Sequence, residues 1–497
     1  MTSSDNYSSE HELILKTIED YNGALDISDY KNILLNLIFL KYSSDIFHEK
    51  YNELLLEGNG FEEDKDEYVA ENIVFIPKNA RWQDISKVAH EEDNGVKIDE
   101  AMRLIETENT FLRGILYKNY AKPEINKQKL GELIDLITNI NVPESKNIFW
   151  SELFEKCLYK FFEEEGTEAG GSYTPICIIK TIINILNPKD GRIYDPCCGT
   201  GGMFIQTIKF LKEHNQNVNN LSIYGQEVND SRWKLLKLNL AIHQIEGNVG
   251  EYPEDTFSND LHSNLKVNYI MANPKFNMDN WGLEHLQEDE RWKYGIPPNG
   301  NANFAWIQHM IHHLSDNGKI GLVLANGSLS SNTGDEKNIR KNIIEDDLLE
   351  CIISLPAQLF YTGGIPVCLW FLNKNKIQKG KTLFIDAREM GTMVSRRMKE
   401  LSSEDINLIA ETYVKFQENT LEDEKGFCKV SDIGEIKQQD FILTPGRYVG
   451  FKPEEDDGIP FEEKMEKLTK ELGELFEESN ELEGKIRQSF KEIGFEF

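Results

Sequence analysis

The sequence has no long hydrophobic run. The apolar run LLNLIFL at residues 34–40 has the length of a buried core helix, whereas a membrane-spanning helix needs about 20 consecutive apolar residues. The first residues, MTSSDNYSSEHE, have neither the basic start nor the apolar centre of a secretion signal. We therefore expect no membrane-spanning segment and a protein that works in the cytoplasm.

Cysteine is scarce, and its spacing is not that of a metal site. There are 7 cysteines in 497 residues, and Cys197 and Cys198 are adjacent, too close for an ordinary disulfide bond. A reducing compartment fits this usage, and small residues in a tight turn explain the pair better than a redox centre. His309, His312 and His313 follow helical spacing, but no carboxylate or thiol nearby in the sequence completes a metal site. We predict that these histidines are structural and that no metal is bound.

Positive charge is in deficit. The chain has 54 Lys and Arg against 85 Asp and Glu, a net charge of -31. A free-standing DNA-binding protein usually has a basic footprint. Either nucleic acid is not the ligand, or a partner supplies most of the phosphate contacts. The small basic cluster SRRMKE at residues 395–400 is compatible with a DNA-phosphate contact, but a solvated surface is the favoured interpretation.

Two kinds of sequence pattern divide the chain. The first third carries apolar residues at helical spacing, with Ser28 or Asp29 as the expected cap of the second helix. From about Gly166, short runs rich in Ile, Val and Leu alternate with helical segments. These runs are GRIYD, LSIYGQE, VNYIMANP, IGLVLAN, LLECIISLP and VCLWFLN. The alternation predicts an α/β fold, with a mostly parallel sheet joined by crossover helices.

The last segment, from Phe461, is helical and highly charged. Its apolar residues repeat at three-four spacing, with Ser479 and Ser489 interrupting the series. The repeating residues are Met465, Leu468, Leu472, Leu475, Leu482, Ile486 and Ile493. The spacing suggests the seam of a coiled coil. A surface helix that folds back on its own core is the alternative.

A strand, a glycine-rich turn and a helix are predicted in RIYDPCCGTGGMFIQTIKFL, which starts at Arg192. Gly199, Gly201 and Gly202 allow a tight turn and the close approach of a ligand. The helix that follows would offer free N–H groups and the positive end of its dipole to an anion. The spacing G-x-G-G differs from the strict G-x-G-x-x-G of dinucleotide sites, and many αβ turns are glycine-rich without binding a ligand.

Acidic residues stand where they could hold a nucleoside. Asp195 ends the first strand and could accept a hydrogen bond from a ligand amine. Glu227 follows the next strand, LSIYGQE, where a carboxylate can bind both ribose hydroxyls. Asp255, in EDTF, could accept a hydrogen bond from an adenine amine. Glycine turn and acids together favour a nucleoside cofactor, with a dinucleotide and S-adenosylmethionine as the alternatives.

The motif NPKF at residues 273–276 separates these alternatives. The lone pair of an exocyclic adenine amine is delocalised into the ring, so methylation requires acceptors that draw the amine hydrogens out of plane. Asn273 offers a side-chain carbonyl and Pro274 a backbone carbonyl, while the ring of Phe276 could stack on a flipped base. No titratable base is required, because the methylated amine loses its proton easily. The motif alone is often an ordinary turn, but after the glycine loop and Glu227 it predicts an S-adenosylmethionine-dependent amino-methyltransferase.

Taken together, the motifs resemble the modification (M) subunits of type I restriction–modification systems, which are N6-adenine DNA methyltransferases. The motifs are LDISDYKNILLNLIFLKYSSD, IPKNARWQDI, GGSYTP, DPCCGTGG, YGQE, NPKFNMDNWG, NANFAWIQHM and NIRKNIIEDDLLECIISLPAQLFYTGGIPVCLWFLNK. The resemblance covers nearly the whole chain, in the family's order. It implies a Rossmann-like catalytic domain at 161–455, a helical N-terminal domain at 1–160 and a helical, coiled-coil-like tail at 456–497 that packs on a partner.

The resemblance also implies a role for each site residue. The methionine end of the cofactor would be lined by Gly171, Ser172, Tyr173, Thr174 and Pro175. Its main cradle would be formed by Asp195, Gly199, Thr200 and Gly201. Glu227 would hold the ribose and Asp255 the adenine of the cofactor. The flipped target adenine would be handled by Asn273, Pro274 and Phe276.

Two departures from the family pattern affect this site. The family usually has Gln and an aromatic residue before Tyr/Phe-Thr-Pro, where this chain has Gly171 and Ser172, so part of the cofactor wall differs. Lys275 stands where the family has a second proline, which adds a backbone N–H and a cation. Pointing inward, its ammonium would be repelled by the cofactor sulfonium; pointing outward, it could meet a DNA phosphate.

The resemblance also offers an answer to the charge deficit. In the family a separate specificity subunit reads the DNA target, two modification subunits join each specificity subunit, and a restriction subunit can be added. Partners would then supply much of the phosphate contact, and the target sequence is encoded in another chain. Two alternatives remain. One is an assembly subunit whose catalysis is weakened by Lys275. The other is methylation of a different amine, which the N-terminal helical domain disfavours. The NPKF turn and the G-x-G-G spacing disfavour a dehydrogenase.

Overall fold

The computed structural model describes residues 8–19, 25–143, 145–165, 173–360, 364–451 and 461–492. The chain divides into two compact units, Met1–Gly450 and Phe451–Phe497. In the described residues no helix is both long and apolar enough to cross a membrane. The division into three domains stays a prediction.

Helices make up the amino-terminal part and alternate with strands after it. The helices before the first strand are α1 (Ser8–Glu19), α2 (Ile27–Glu57), α3 (Lys65–Val69), α4 (Trp82–Lys87), α5 (Asn94–Glu108), α6 (Lys127–Thr138), α7 (Lys146–Glu165) and α8 (Ile176–Leu186). The later helices are α9 (Gly202–Glu213), α10 (Asp230–Ile242), α11 (Asn303–His313), α12 (Glu336–Glu345), α13 (Ser403–Gln417), α14 (Ile433–Gln438), α15 (Gly446–Val449) and α16 (Phe461–Glu492).

The strands begin after α8. They are β1 (Gly191–Asp195), β2 (Leu221–Gly225), β3 (Gly247–Asn248), β4 (Val267–Ala272), β5 (Leu314–Ala325), β6 (Leu349–Ser354), β7 (Val367–Asn373), β8 (Lys381–Asp386), β9 (Thr392–Met393), β10 (Lys399–Glu400) and β11 (Cys428–Asp432). All six apolar runs in the second part of the sequence are strands. Strands β8 and β11, at one edge of the sheet, were not predicted.

The central sheet has nine strands in the order β11-β8-β6-β7-β5-β4-β1-β2-β3. Strands β4, β1, β2 and β3 are parallel neighbours, and β5 joins β4 in the same direction. Among the strands of this sheet in the described residues, only β7 and β11 run against their neighbours. Every residue of β6 and β7 is buried, as expected of strands covered on both faces. The predicted mostly parallel α/β sheet is therefore confirmed.

The chain reverses its direction across the sheet beside β1. It runs from β1 outward to β2 and β3, then returns to β4 on the other side of β1. In open α/β sheets ligands bind at the carboxyl ends of the strands at such a switch point. This places the loops after β1 and β4, which begin with Pro196 and Asn273, at one crevice.

The long helix α2 begins at Ile27, two residues earlier than a cap at Ser28 would allow. Asp26 is the cap residue, and its side chain accepts a hydrogen bond from the backbone N–H of Ser28 at 2.8 Å. The prediction of Ser28 or Asp29 was wrong because Ile27 already has helical geometry, which puts both residues inside the first turn. Gly58 ends the helix in the left-handed conformation, with φ of 72°, as is common at helix C-termini.

Helix α7 packs the helical part of the chain onto the sheet-bearing part. It packs against α2 and α10. Its buried Glu155 carboxylate lies 2.7 Å from the Lys209 ammonium of α9 and 3.1 Å from the ring of His243, which follows α10. Side chains on its last turns also contact the segment that precedes α8. Helix α7 therefore bears directly on the geometry of the crevice.

The second unit contains the helix α16. Each of its described apolar residues exposes about half of its surface to solvent: Met465 is 45% exposed, Leu472 51% and Leu482 50%. The predicted helical tail is therefore confirmed, although Ile493 lies outside the described residues. The predicted coiled-coil seam remains a prediction.

Candidate active site

The glycine-rich turn after β1 leads directly into α9. Gly201 has φ of 86° and is the cap residue of α9, with no side chain bonded to the helix end. A Cβ at Gly201 would lie 2.6 Å from Leu236 Cδ1, so only glycine fits between the turn and α10 without a shift. The backbone N–H groups at this helix end are thus available to an external acceptor.

Glu227, just past β2, is tied to the same turn. Its buried carboxylate accepts hydrogen bonds from the backbone N–H groups of Gly199 at 2.9 Å and Asn229 at 2.8 Å. A carboxylate has about four acceptor positions, so two remain for hydroxyl donors. The structure therefore brings Glu227 and Gly199 together at the end of the parallel strands, as the sequence predicted for a ribose site.

Asp195 ends β1 and is buried beneath the turn. Its Oδ1 accepts the N–H of Cys197 at 3.0 Å. Burial raises the pKa of Asp195 to about 7, and the charge of Glu227 raises it further, against the hydrogen bonds from Cys197. A carboxyl group with a pKa near neutral pH loses its proton when a cationic ligand binds beside it.

Asp255 lies in the loop after β3, next to the Glu227 loop. The backbone of Glu254 donates a hydrogen bond to the carbonyl of Glu227 at 3.0 Å. Oδ1 of Asp255 accepts N–H groups from Phe257 and Ser258. The Thr256 hydroxyl then donates to the Pro196 carbonyl at 2.6 Å, a link that sequence reasoning missed. The loops after β1, β2 and β3 therefore form one continuous wall.

Asn273 follows β4, on the other side of β1. Its Nδ2 donates to Thr174 Oγ1 at 2.9 Å. Its Oδ1 is buried and has no hydrogen-bond partner among the described residues. A buried carbonyl oxygen left without a donor is costly, by about 1–3 kcal/mol. Thr174 thus fixes the amide so that its free oxygen is available for a donor outside the chain.

Phe276 and Lys275 are exposed to different extents. The half-buried Phe276 ring meets Phe360 edge to face, with ring centroids 6.1 Å apart. Lys275 is exposed, which corresponds to the outward orientation considered for it, and Pro274 is buried. The backbone N–H of Asn277 donates to Asn303 Oδ1 at 3.1 Å. Asn303, in the motif NANF, thereby anchors the turn, a role that the motif alone did not reveal.

Tyr173 brings the helical part of the chain to the crevice. Its ring stacks on Phe162 of α7 at 5.4 Å and meets Tyr159 edge to face at 5.3 Å. The Tyr173 hydroxyl lies near Gly202, where an added Cβ would be 3.5 Å away. Thr174 and the buried Pro175 continue into α8. Gly171 and Ser172 lie outside the described residues, and Thr200 is buried in the turn with its carbonyl bonded to Asn239.

The adjacent cysteines are not activated thiols. Burial raises the pKa of Cys197 and of Cys198 well above the ordinary value, and the charge of Asp195 raises both further. The reactive thiolate is therefore disfavoured at neutral pH. Cys198 Sγ instead donates to the carbonyl of Gln226 at 3.3 Å, which fits the expected role of a small residue in a tight turn.

The histidines of α11 join an acid that is distant in sequence. Nitrogen and oxygen atoms of Asp260, His309 and His313 lie within 4.8 Å of one another. His313 bonds to Asp260 at 2.8 Å and to the carbonyl of Leu265 at 2.9 Å. His309 contacts the Tyr194 hydroxyl and the Arg291 guanidinium, each at 3.2 Å. A metal ion here would have to displace these bonds beside a guanidinium, so the geometry favours a structural network.

Comparison with known proteins identifies the family. The model of the N-6 DNA methylase family matches residues 144–457, and that of the HsdM N-terminal domain matches residues 14–138. The chain is 44% identical to the type I restriction enzyme HindI methylase subunit of Haemophilus influenzae, over 85% of this chain and 100% of that protein. This chain belongs to the type I restriction–modification methylase subunits.

Other relatives of this methylase subunit come from different organisms. It is 36% identical to the MjaIX methylase subunit of Methanocaldococcus jannaschii, over 97% of this chain and 90% of that protein. Among solved structures, it resembles a type I methyltransferase subunit from Streptococcus thermophilus with a TM-score of 0.76, at 21% identity, over 89% of this chain and 100% of that one. The structural likeness supports the fold, while the sequence matches establish the family.

Proposed function

We propose that this methylase subunit transfers a methyl group from S-adenosylmethionine to N6 of an adenine flipped out of duplex DNA. The observation that carries the proposal is the buried Oδ1 of Asn273, which has no donor among the described residues. An adenine amine placed there would donate to this oxygen, which draws a hydrogen out of the ring plane and localises the nitrogen lone pair. Methylation of a conjugated amine requires such an acceptor, because the lone pair is otherwise delocalised into the ring.

The wall after β1, β2 and β3 suits S-adenosylmethionine. The carboxylate of Glu227 has acceptor positions left for two ribose hydroxyls, and Asp255 stands in the neighbouring loop for an adenine amine. The glycine turn packs closely on α10 at Gly201, where a Cβ would collide with Leu236, and is open at Gly199, where a Cβ would meet nothing within 4 Å. Tyr173 and Thr174 would border the methionine end, and Asp195 would belong to the main cradle with the glycine turn. When bound, the cofactor supplies an electrophilic methyl group on a sulfonium.

The remaining chemistry belongs to the chain's own residues. Thr174 holds the Asn273 amide by its Nδ2, so that Oδ1 stays directed to the target amine. The Pro274 carbonyl would accept the second amine hydrogen, and the Phe276 ring would stack on the flipped base, worth about 1–3 kcal/mol. The proton of the methylated amine passes to water, since the positively charged product is a strong acid. No side chain has to act as a base.

The exposure of Lys275 bears on the alternative of weakened catalysis. A side chain directed to solvent keeps its ammonium away from the cofactor sulfonium. Like charges about 4 Å apart would repel by about 4 kcal/mol at an intermediate dielectric, and this cost is avoided. The acceptors Asn273 and Pro274 and the ring of Phe276 are unchanged, so we propose an active enzyme.

The partners we propose are a specificity subunit, a restriction subunit and duplex DNA, with two modification subunits for each specificity subunit, in the cytoplasm. The chain has a fold similar to a structure of type I restriction–modification complex assembly, with a TM-score of 0.63 at 16% identity. The net charge of -31 opposes the approach of the chain to DNA. A partner that supplies phosphate contacts removes this difficulty.

Transfer of tritium from labelled S-adenosylmethionine to duplex DNA tests the proposal. We expect label in DNA only when the cognate specificity subunit is present. Asn273→Ala should lower the rate about 100-fold or more, the range seen when one group that contacts the reacting atoms is removed, with cofactor binding retained. Asn407→Ala, at an exposed position of α13, is the matched control and should leave the rate unchanged. Label in protein or RNA, or a fully active Asn273→Ala, would refute it.

A further inference from the structure

The hairpin formed by β9 and β10, residues 392–400, is not used by the proposed mechanism. Its strands pair antiparallel, Met393 with Lys399 and Thr392 with Glu400. The hydroxyl of Ser395 accepts the backbone N–H groups of Arg397 at 3.3 Å and Met398 at 3.2 Å. The tip is therefore a closed turn that presents Arg396 and Arg397 on a defined backbone.

The hairpin leaves the sheet at the carboxyl ends of the parallel strands, where the candidate active site also lies. It follows β8, which is parallel to β6. Strand β7 runs against both β5 and β6, so β5, β6 and β8 point the same way. Strand β4 is parallel to β5. The carboxyl end of β8, from which the hairpin starts, thus lies on the same edge as Asn273.

Two contacts fix the base of the hairpin to the site. The backbone N–H of Lys399 donates to the carbonyl of Gln358 at 2.8 Å. Two residues further, Phe360 meets the ring of Phe276. On the other side, the backbone of Leu401 lies against the thiol of Cys177, two residues after Pro175. The base is therefore bonded to the segment that leads to Phe360 on one side and to the start of α8, which follows Thr174, on the other.

The tip is exposed and cationic in a chain that is otherwise acidic. All residues from Thr392 to Arg397 are exposed, including the apolar Met393 at 49% and Val394 at 51%. Neither Arg396 nor Arg397 forms an ion pair with any residue in the described part of the chain. By contrast, Arg291, Arg340 and Arg388 are all hydrogen-bonded within the protein.

We propose that the β9–β10 hairpin is a DNA-contacting element, in which Arg396 and Arg397 bind backbone phosphates of the duplex next to the flipped adenine. Guanidinium groups bind phosphate oxygens in a two-pronged geometry, and such contacts set the register of a protein on DNA without reading sequence. The exposed Met393 and Val394 would face the adjoining groove. The exposed Lys275 lies at the same edge and adds a third cation. The inference rests on the proposed function, because it takes DNA as the substrate.

The salt dependence of DNA binding tests the inference in the complex with the specificity subunit. The probe is a short fluorescent duplex of arbitrary sequence, and the variant is Arg396→Gln with Arg397→Gln. Each phosphate contact contributes about 0.9 to the slope of log affinity against log salt concentration. We expect the slope to fall by roughly 2, while co-purification with the specificity subunit and binding of labelled S-adenosylmethionine are retained.

Two control variants sharpen the test. Lys189→Gln with Arg192→Gln removes the same charge at exposed positions before and at the start of β1, the opposite edge of the sheet, and should keep the wild-type slope. Arg396→Lys with Arg397→Lys keeps both charges and should retain most of the wild-type slope.

Three outcomes are distinguishable. An unchanged slope in the double glutamine variant overturns the inference. Loss of co-purification also overturns it, because it assigns the arginines to a protein interface instead. Failure of the proposed function itself would appear separately, as a wild-type complex that transfers no methyl group to any duplex, since the slope is measured without methyl transfer.

Discussion

At the scale of single residues, the sequence could predict that the candidate site residues after β1, β2 and β4 share one end of the sheet, because each follows a short apolar run. In a parallel sheet the carboxyl ends of neighbouring strands meet at one edge, so Asp195, Glu227 and Asn273 had to lie near one another. The bond from Asn273 to Thr174 could not be predicted in this way. It joins residues 99 positions apart, and only the packing of α8 beside the sheet brings them together.

The burial of Asp195 has a consequence for pH dependence. Its folded pKa of about 7 lies above the ordinary value, so in the free protein the stability that this carboxyl contributes is present at acid pH and is lost as the pH rises through 7. A cationic cofactor prefers the ionised form. We therefore expect S-adenosylmethionine to bind more tightly as the pH rises, by up to about tenfold per unit below 7, and to level off above it.

Calorimetry in buffers of different ionisation enthalpy measures this effect as proton release on binding at about pH 6. Asp195→Asn should release no proton and should bind with little dependence on pH. Asp190→Asn, at an exposed position before β1, serves as the control. A wild-type affinity that stays flat across neutral pH would show that Asp195 does not face the cofactor's charge.

At the scale of elements, the alternation of apolar runs with helical segments predicted the central strands of the sheet but not β8 and β11 at one edge. Strands β6 and β7 are buried on both faces and read as continuous apolar runs. Strand β11 mixes apolar, uncharged polar and charged residues, CKVSD, and is paired on one side only, so its sequence resembles many surface loops. The cap of α2 was misplaced because three possible capping residues, Asp26, Ser28 and Asp29, stand close together, and only geometry selects among them.

The helix α16 carries a prediction about assembly. Its apolar residues lie on a repeating spacing and are about half exposed, which suits packing on helices of the specificity subunit. Removal of residues 461–497 should abolish co-purification with that subunit and leave S-adenosylmethionine binding intact. Leu472→Ser with Leu475→Ser should weaken association by about 3 kcal/mol or more, since each buried leucine contributes about 1.5–3 kcal/mol.

The same helix offers a matched control for this prediction. Glu471→Ser with Glu474→Ser changes exposed neighbours and should leave the association nearly unchanged. Normal co-purification of the truncated chain would refute the role of α16 and favour the alternative in which it serves its own chain.

At the scale of the whole molecule, the charge balance is the feature that the proposed dependence on partner subunits has to explain. Its net charge of -31 opposes DNA binding, and at physiological salt screening limits this repulsion to a range of about 8 Å. The chain nevertheless carries a crevice in which the buried Oδ1 of Asn273 has no donor among the described residues, and Lys275 is exposed beside it. Composition alone left two interpretations open, and only the combination of motif order and family membership distinguishes a DNA methylase subunit from an enzyme that avoids DNA.

The central claim is that the amine held by Asn273 is N6 of adenine in DNA. The most direct measurement is nucleoside analysis of duplex DNA after reaction of the wild-type complex with S-adenosylmethionine and the specificity subunit, with the methylated nucleoside separated and weighed by mass spectrometry. We predict N6-methyldeoxyadenosine as the product, and its loss with Asn273→Ala. Methyl groups on the exocyclic amine of cytosine, or on no DNA base at all, would contradict the claim.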